Sequence, residues 1–281
     1  MQNSLKIYEP DNSIKKGYWS ILSEIFTELI DNRWLTYQLF KRDLFAMYKQ
    51  SIMGVFWVFI MPLVSIATFV LLSYSGVFNV GEISVPYPIY AGIGMAFWQL
   101  FSIGLISSTN SLVEAGTMVK IINFSKKSLV IASTAKALVS FLIQLVLVIT
   151  LFAVYRIVPS TGIFYILIVA IPLFFLTLGL GLILALLNGV MRDIGNILSI
   201  FITFLMFLTP VLYAKPKSGI LGEITRHNPL YYFISAARNL ILNGSIPESK
   251  GFLISCAVSF FVFFMCLIIF HLTETRITER V

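Results

Sequence analysis

Charge is the scarcest property of this sequence: 12% of its 281 residues are Asp, Glu, Lys or Arg, against 58% hydrophobic. That ratio leaves too little polar surface to wrap a soluble globule of this size, and with a mean hydropathy of +0.91 it places the chain in a bilayer. Cysteine is nearly absent. Cys256 and Cys266 are ten positions apart in one apolar run, about 15 Å along a helix, which is too far for a disulfide. They read as small apolar packing and leave the compartment undecided. The two histidines, His227 and His271, lie far apart and without a Cys partner, so each reads as an interfacial polar residue and no metal site is expected. No G-x-x-x-x-G-K-[ST] stretch occurs, so ATP hydrolysis of the P-loop kind is excluded. Carboxylates are missing from the interiors of the apolar runs, and Lys136 and Arg156 fall near run ends. That weakens the case for an ion-driven carrier, which needs ionisable groups or broken helices at the midplane. A secretory leader is also lacking: the first apolar run begins near Ile52, so the N-terminus is expected to be retained.

What is present is a series of apolar runs of roughly 20 residues or more, which span a bilayer as helices, whereas barrel strands would alternate over about 10. The expected fold is an all-α integral membrane protein of six transmembrane helices with an N-terminal amphipathic interfacial helix and an outer re-entrant helix pair. Residues 1–17 read as a mobile cytoplasmic tail. Over 18–50, Trp19, Leu22, Ile25, Phe26, Leu29 and Ile30 recur at helical spacing among charges, which predicts an amphipathic interfacial helix with a break near Asp31-Asn32. Residues 51–281 form the six-span domain, with spans at 52–78, 87–109, 129–158, 163–190, 195–213 and 251–270. The net charge of +7 is spread over loops and helix ends, so it serves as an orientation signal and not as a nucleic-acid surface. The basic flank of the first run predicts cytoplasmic N- and C-termini. Gly181, Ala185 and Gly189 make a small-xxx-small seam, within one subunit or between two.

Between the second and third spans, Ser111-Leu-Val-Glu114 has the form of a capping box and predicts a separate cytoplasmic helix over 111–123. Its residues Leu112, Val113, Met118, Val119 and Ile122, flanked by Glu114 and Lys120, are too apolar to stay in water and need a groove in a partner or in the body of the protein. Lys126 and Lys127 mark the inner boundary. Arg192-Asp193 sits at the cytoplasmic edge between spans four and five. Over 214–245 the charge bias fails: Lys215, Lys217, Arg226 and Arg238 fall outside by the count of spans, amid apolar residues. Two short helices turning at Asn228-Pro229 and dipping into the outer leaflet would satisfy both facts. Those cations would attract a lipid pyrophosphate or anionic headgroup, or serve as interfacial anchors.

A membrane enzyme is the second class to weigh. Glu223, Arg226, His227 and Asn228 are the only crowded polar stretch, and one carboxylate beside one histidine is a weak signal. Trp57, Trp98, Gln99, Tyr213, Tyr231 and Tyr232 offer rings and an amide for a sugar path as well as membrane anchors.

Taken in order, Arg192-Asp193-Ile194, Thr209-Pro210-Val-Leu-Tyr213 and Asn228-Pro229-Leu-Tyr231 followed by Arg238 make the chain resemble the membrane subunit of ABC exporters for lipid-linked polysaccharides. That group includes O-antigen, capsule and teichoic acid permeases. The resemblance covers nearly everything after residue 17. It implies export of an undecaprenyl-linked glycan, O-antigen first among the alternatives, across a bacterial inner membrane. It further implies a second copy of the chain and two nucleotide-binding subunits, so that this chain holds no cofactor and the partner binds ATP and Mg. The coupling role of 111–123 follows from the same likeness. One departure is Ser125, where relatives commonly carry Pro. An exporter of drugs or lipids, and an enzyme acting on lipid-linked sugars, are the alternatives.

Overall fold

Without water, each backbone N–H and C=O must be satisfied inside its own segment, so apolar runs of this length fold as helices. The computed structural model describes residues 18–49, 56–76, 80–116, 125–216 and 218–277, and among them every regular element is helical. In chain order these are α1 (Tyr18–Asp31), α2 (Arg33–Lys49), α3 (Phe56–Tyr74), α4 (Tyr87–Ala115), α5 (Lys126–Val154), a 3-10 turn (Thr161–Tyr165), α6 (Ile166–Val190), α7 (Asp193–Leu208), α8 (Ile220–His227), α9 (Pro229–Asn243) and α10 (Ser249–Ile277). Four stretches are long and apolar enough to cross a membrane: Tyr87–Ala115, Lys126–Val154, Thr161–Val190 and Ser249–Glu274. The helices at the first and fifth expected spans are shorter: the apolar part of α3 is Phe59–Tyr74, and α7 is Asp193–Leu208. The 16 residues of α7 rise only about 24 Å, less than the roughly 30 Å of hydrocarbon.

Helix α4 is the centre of the body. It packs along α5 on one side and α6 on the other, α6 carries α10, and α9 contacts α4, α6 and α10. Close approach of α4 and α6 depends on missing side chains. A Cβ on Gly104 would stand 2.8 Å from Thr177 Cγ2, and one on Gly181 would stand 2.6 Å from Ser108 Cβ. For Gly181 the small-residue seam is therefore packing within the chain.

Two sequence expectations are corrected here. The capping box at Ser111 does not start a helix: α4 runs unbroken to Ala115, and the Ser111 hydroxyl donates to the Ser108 carbonyl at 2.6 Å. Ser108 and Thr109 likewise donate to the Leu105 carbonyl. The polar run satisfies its hydroxyls on the preceding turn, so it has no need to leave the helix. Leu112, Val113 and Glu114 thus belong to the end of α4; Met118, Val119, Lys120 and Ile122 lie outside the described residues. The end of the sixth span, expected at residue 270 with His271 at an interface, is the second correction, because α10 continues to Ile277 and His271 is buried.

The N-terminal helix breaks where the sequence places the break, at Asn32, whose side chain donates to the Glu28 carbonyl at 2.8 Å. Ile21, Ile25 and Leu39 are buried against Leu112, Leu129, Leu182 and Phe270, at one end of the body. Trp34, Tyr37 and Phe45 on the same helix pair are exposed, so the pair is apolar on two sides: one covered by protein and one carrying the rings that suit a lipid headgroup layer. Asp43 anchors α2 to α5 through Ser133 Oγ at 3.4 Å and Lys136 Nζ at 3.8 Å.

Overpacking the α4–α6 contact should therefore destabilise the body. Gly181→Val is expected to cost about 1–3 kcal/mol and Gly181→Ala to fall at the low end of that range, read as a lowered unfolding midpoint of the detergent-solubilised protein.

Candidate functional site

Two of the three sequence motifs, 209–213 and 228–231 with Arg238, converge on one joint. After α7 the chain runs extended from Thr209 into a short strap, and Thr209, Val211 and Leu212 are buried. A buried strap has no ladder to satisfy its carbonyls, and side chains from elsewhere must do so. Arg238 of α9 satisfies two of them. Its Nη1 donates to the Pro210 carbonyl at 2.8 Å and to the Tyr90 hydroxyl at 3.0 Å, its Nη2 to the Val211 carbonyl, and its Nε to the Tyr90 carbonyl at 3.3 Å. The guanidinium lies 3.7 Å from the centre of the Tyr90 ring. Asn228 ties the strap from the other side, donating to Thr209 Oγ1 at 2.8 Å while its Oδ1 accepts the Leu230 N–H and caps α9, with Pro229 at the first helical position. Tyr90 closes the strap's far end through the Tyr213 carbonyl at 3.0 Å. Gly94 gives the guanidinium room, since a Cβ there would overlap both Arg238 Nη2 and the Val211 carbonyl.

The structure thus separates the expected substrate-facing residues into two groups. Arg238, Tyr231 and Trp98 are buried and present no surface to a headgroup or sugar in this conformation. Tyr213 and Tyr232 are half-buried and spend their hydroxyls on the Phe207 and Arg226 carbonyls, and Gln99 is also half-buried. Trp57 is exposed on α3. Lys215 is paired with Glu248 at 2.6 Å and lies over the Tyr231 ring. Burial works most strongly against its charge, but the hydrogen bond to Glu248 and the interactions with Tyr231 and the Glu248 charge together hold Lys215 above the ordinary lysine value. Arg226 remains exposed with Glu223 at 3.4 Å, and Lys217 lies outside the described residues. His227 contacts the carbonyl of Glu223 and is exposed, so the polar stretch 223–228 forms no assembled acid, base and nucleophile.

At the other end of the body, Asn188 joins three elements. Its Nδ2 donates to the Thr109 carbonyl at 3.1 Å and Asn110 Oδ1 at 3.0 Å, and its Oδ1 accepts the Gly195 N–H at 2.9 Å. The last turn of α6 thereby caps the first turn of α7 and holds the end of α4. Arg192 and Asp193 form the exposed turn between them. Val113 and Glu114 emerge beside this joint, half-buried and exposed respectively, while Leu112 is covered by the body of the protein. Ser125 occupies the position before α5 without capping it through its hydroxyl.

Between the two joints, α4, α6, α7 and α9 bound a groove of about 480 Å³ lined by Phe101, Leu105, Leu180, Ile197, Phe201 and neighbouring apolar residues, with Asn228 at one end. Helix α7 is otherwise exposed along Ile200, Phe204 and Phe207. The surface offered here suits lipid chains or apolar protein, and among the described residues its lining holds no group that could transfer a proton or attack a bond. Sequence reading identified Asn228, Pro229, Pro210 and Arg238 as a motif but gave Tyr90, Gly94 and Asn188 no part in holding it or its counterpart. For Arg238 a signal was available, a lone cation beside Ala236-Ala237 in an otherwise apolar helix; for Gly94 none was, because its partner is 144 positions away in the chain.

The profile of the ABC-2 type transporter membrane family matches residues 35–242, from α2 to the end of α9. The chain is 25% identical over 260 residues to the O-antigen export system permease protein RfbA of Myxococcus xanthus, covering 90% of this chain and 98% of that protein. Two proteins of the same name from Klebsiella pneumoniae are 26% and 28% identical, covering 73% and 72% of this chain and 79% and 78% of theirs.

The joint at Arg238 is expected to be structural. Arg238→Met strands buried carbonyls at about 1–3 kcal/mol each, and Arg238→Lys should rescue little because an ammonium cannot reproduce the fork. Both variants should show a lowered unfolding midpoint; a variant of normal stability that fails only in transport would assign Arg238 to substrate instead.

Proposed function

The chain belongs to the ABC-2 type transporter membrane family, and from that premise we propose that it is the membrane subunit of an exporter of O-antigen, carried as a lipid-linked polysaccharide. The observation that carries this reading is the family match from α2 through α9, which takes in both joints, together with curated relatives whose printed names are O-antigen export permeases. The sequence holds no P-loop, so ATP and Mg are assigned to two copies of a separate nucleotide-binding subunit. A second copy of this chain completes the path, and the exposed apolar side of α7 supports such pairing within the membrane. The termini are read as cytoplasmic and the membrane as the bacterial inner membrane. The helices α3 and α7 are read as the first and fifth of six spans, and α8 with α9 as the outer re-entrant pair.

In this mechanism the ATPase closes on binding ATP and pushes on the segment that includes Val113, Glu114, Met118, Val119, Lys120 and Ile122. The push reaches the end of α4, and Asn188 passes it to α7 through the Gly195 amide. Movement of α7 changes the wall between the two permeases, and the apolar groove beside it accommodates the lipid part. Exposed Trp57, Arg226 and Lys215 are the nearest remaining contacts for sugar or phosphate. An enzyme acting on lipid-linked sugars is the second reading, and the dispersed polar groups of 223–228 give it no support.

Charged substitutions at Val113 and Met118 test the docking role. Each is expected to lower ATPase recovered with the purified permease roughly tenfold, the scale of a lost interface anchor, and to reduce surface O-antigen in cells. Unchanged recovery and export would remove this segment from the coupling path.

A further inference from the structure

One cluster of ionisable groups takes no part in either joint. Lys127, in the first turn of α5, has a fully buried side chain. Its Nζ donates to Glu28 Oε2 of α1 at 2.7 Å and to Glu274 Oε1 of α10. His271 Nδ1 lies 3.8 Å from the same Glu28 oxygen and 3.6 Å from the same Glu274 oxygen. Lys126 adds a hydrogen bond to the Glu274 main-chain carbonyl at 2.9 Å. Three helices from distant parts of the chain therefore meet on one ammonium group. The ligand atoms of Glu28, His271 and Glu274 all lie within 4.8 Å of one another, a spacing compatible with a metal ion. Lys127 already stands on both carboxylates, however, so the chain supplies the cation itself.

A buried lysine is costly to desolvate, and apolar residues would hold three helices together as well or better. What an ion cluster adds is a fixed register, because charges misaligned by one turn lose their partners while apolar side chains slide. We propose that Lys127, held by Glu28 and Glu274 with His271 beside them, is a positioning residue: an ionic latch that makes α1, the start of α5 and the end of α10 move as one body. Rigid coupling of this kind delivers a displacement at the cytoplasmic end of α5 to the amphipathic helix pair, whose exposed aromatic side lies toward the headgroup layer. The inference rests on the proposed exporter mechanism for its purpose, but the latch is a physical statement that stands without it.

The test uses the full chain, alone and with its ATPase. Lys127→Met leaves two half-buried carboxylates unbalanced, so the triple variant Glu28→Gln, Lys127→Met, Glu274→Gln is made beside it to remove all three charges together, and Lys127→Arg to keep the cation. In the triple variant, amide hydrogen exchange over 18–31 should quicken by about tenfold or more relative to the parent, while the centre of α4 is unaffected. Lys127→Arg should stay near the parent. Glycan exported per ATP hydrolysed should fall by about tenfold on the same basis in the triple variant and in Glu274→Gln to a lesser degree. Unchanged exchange over 18–31 overturns the latch. Faster exchange with an unchanged export ratio overturns the coupling role, as does a loss of export that merely tracks the amount of folded protein. A parent complex that shows no glycan-dependent hydrolysis fails the exporter reading, and the exchange measurement then still decides the latch.

Discussion

A buried guanidinium fixes one end of this protein. Arg238 is buried among carbonyls of a strap that has no ladder of its own, and the strap, the end of α7, the first turns of α4 and the whole of α9 take their positions from its bonds. Each partner needs the others: without Gly94 the fork has no room, without Tyr90 it lacks the ring beneath it, and without Asn228 the strap is held from one side only. Buried polar groups of this kind stabilise only when all are satisfied, which explains why stretches as far apart in sequence as 90–94, 209–213 and 228–238 form one structural unit.

The same logic operates at the opposite end with weaker groups. Asn188 has one amide to give and one carbonyl to accept with, and it spends them on α4 and α7. Between the two joints the protein is held by apolar contact and by missing side chains at Gly104 and Gly181, contacts that resist separation more than sliding. A body with polar joints at both ends and smooth packing between suits a machine that transmits a push across a membrane.

Much of this was legible in the sequence because membrane helices announce themselves by length and hydropathy. The helix pair at 18–49 with its break at Asn32, the long helices from 87, 126, 161 and 249, and the turn at Asn228-Pro229 follow from local pattern alone. The capping box misled because a Ser-x-x-Glu pattern cannot tell whether the preceding turn is already helical; the hydroxyls of Ser108, Thr109 and Ser111 found carbonyls behind them and the helix continued. Arg238 stood out as a misplaced charge, and reading it as substrate-facing overlooked that main-chain carbonyls can satisfy a cation as well as a phosphate can. Lys127 read as a boundary marker and His271 as an interfacial residue, since only the folded chain brings 28, 127 and 274 together.

The most direct measurement of the central claim is ATP hydrolysis by the permease and its nucleotide-binding subunit in sealed liposomes, with and without lipid-linked O-antigen on the ATP side. Expected is hydrolysis that requires both chains, rises when the glycan is added, and is accompanied by glycan appearing on the far side. Hydrolysis indifferent to the glycan, or glycan that stays where it was added while ATP is consumed, would contradict the claim.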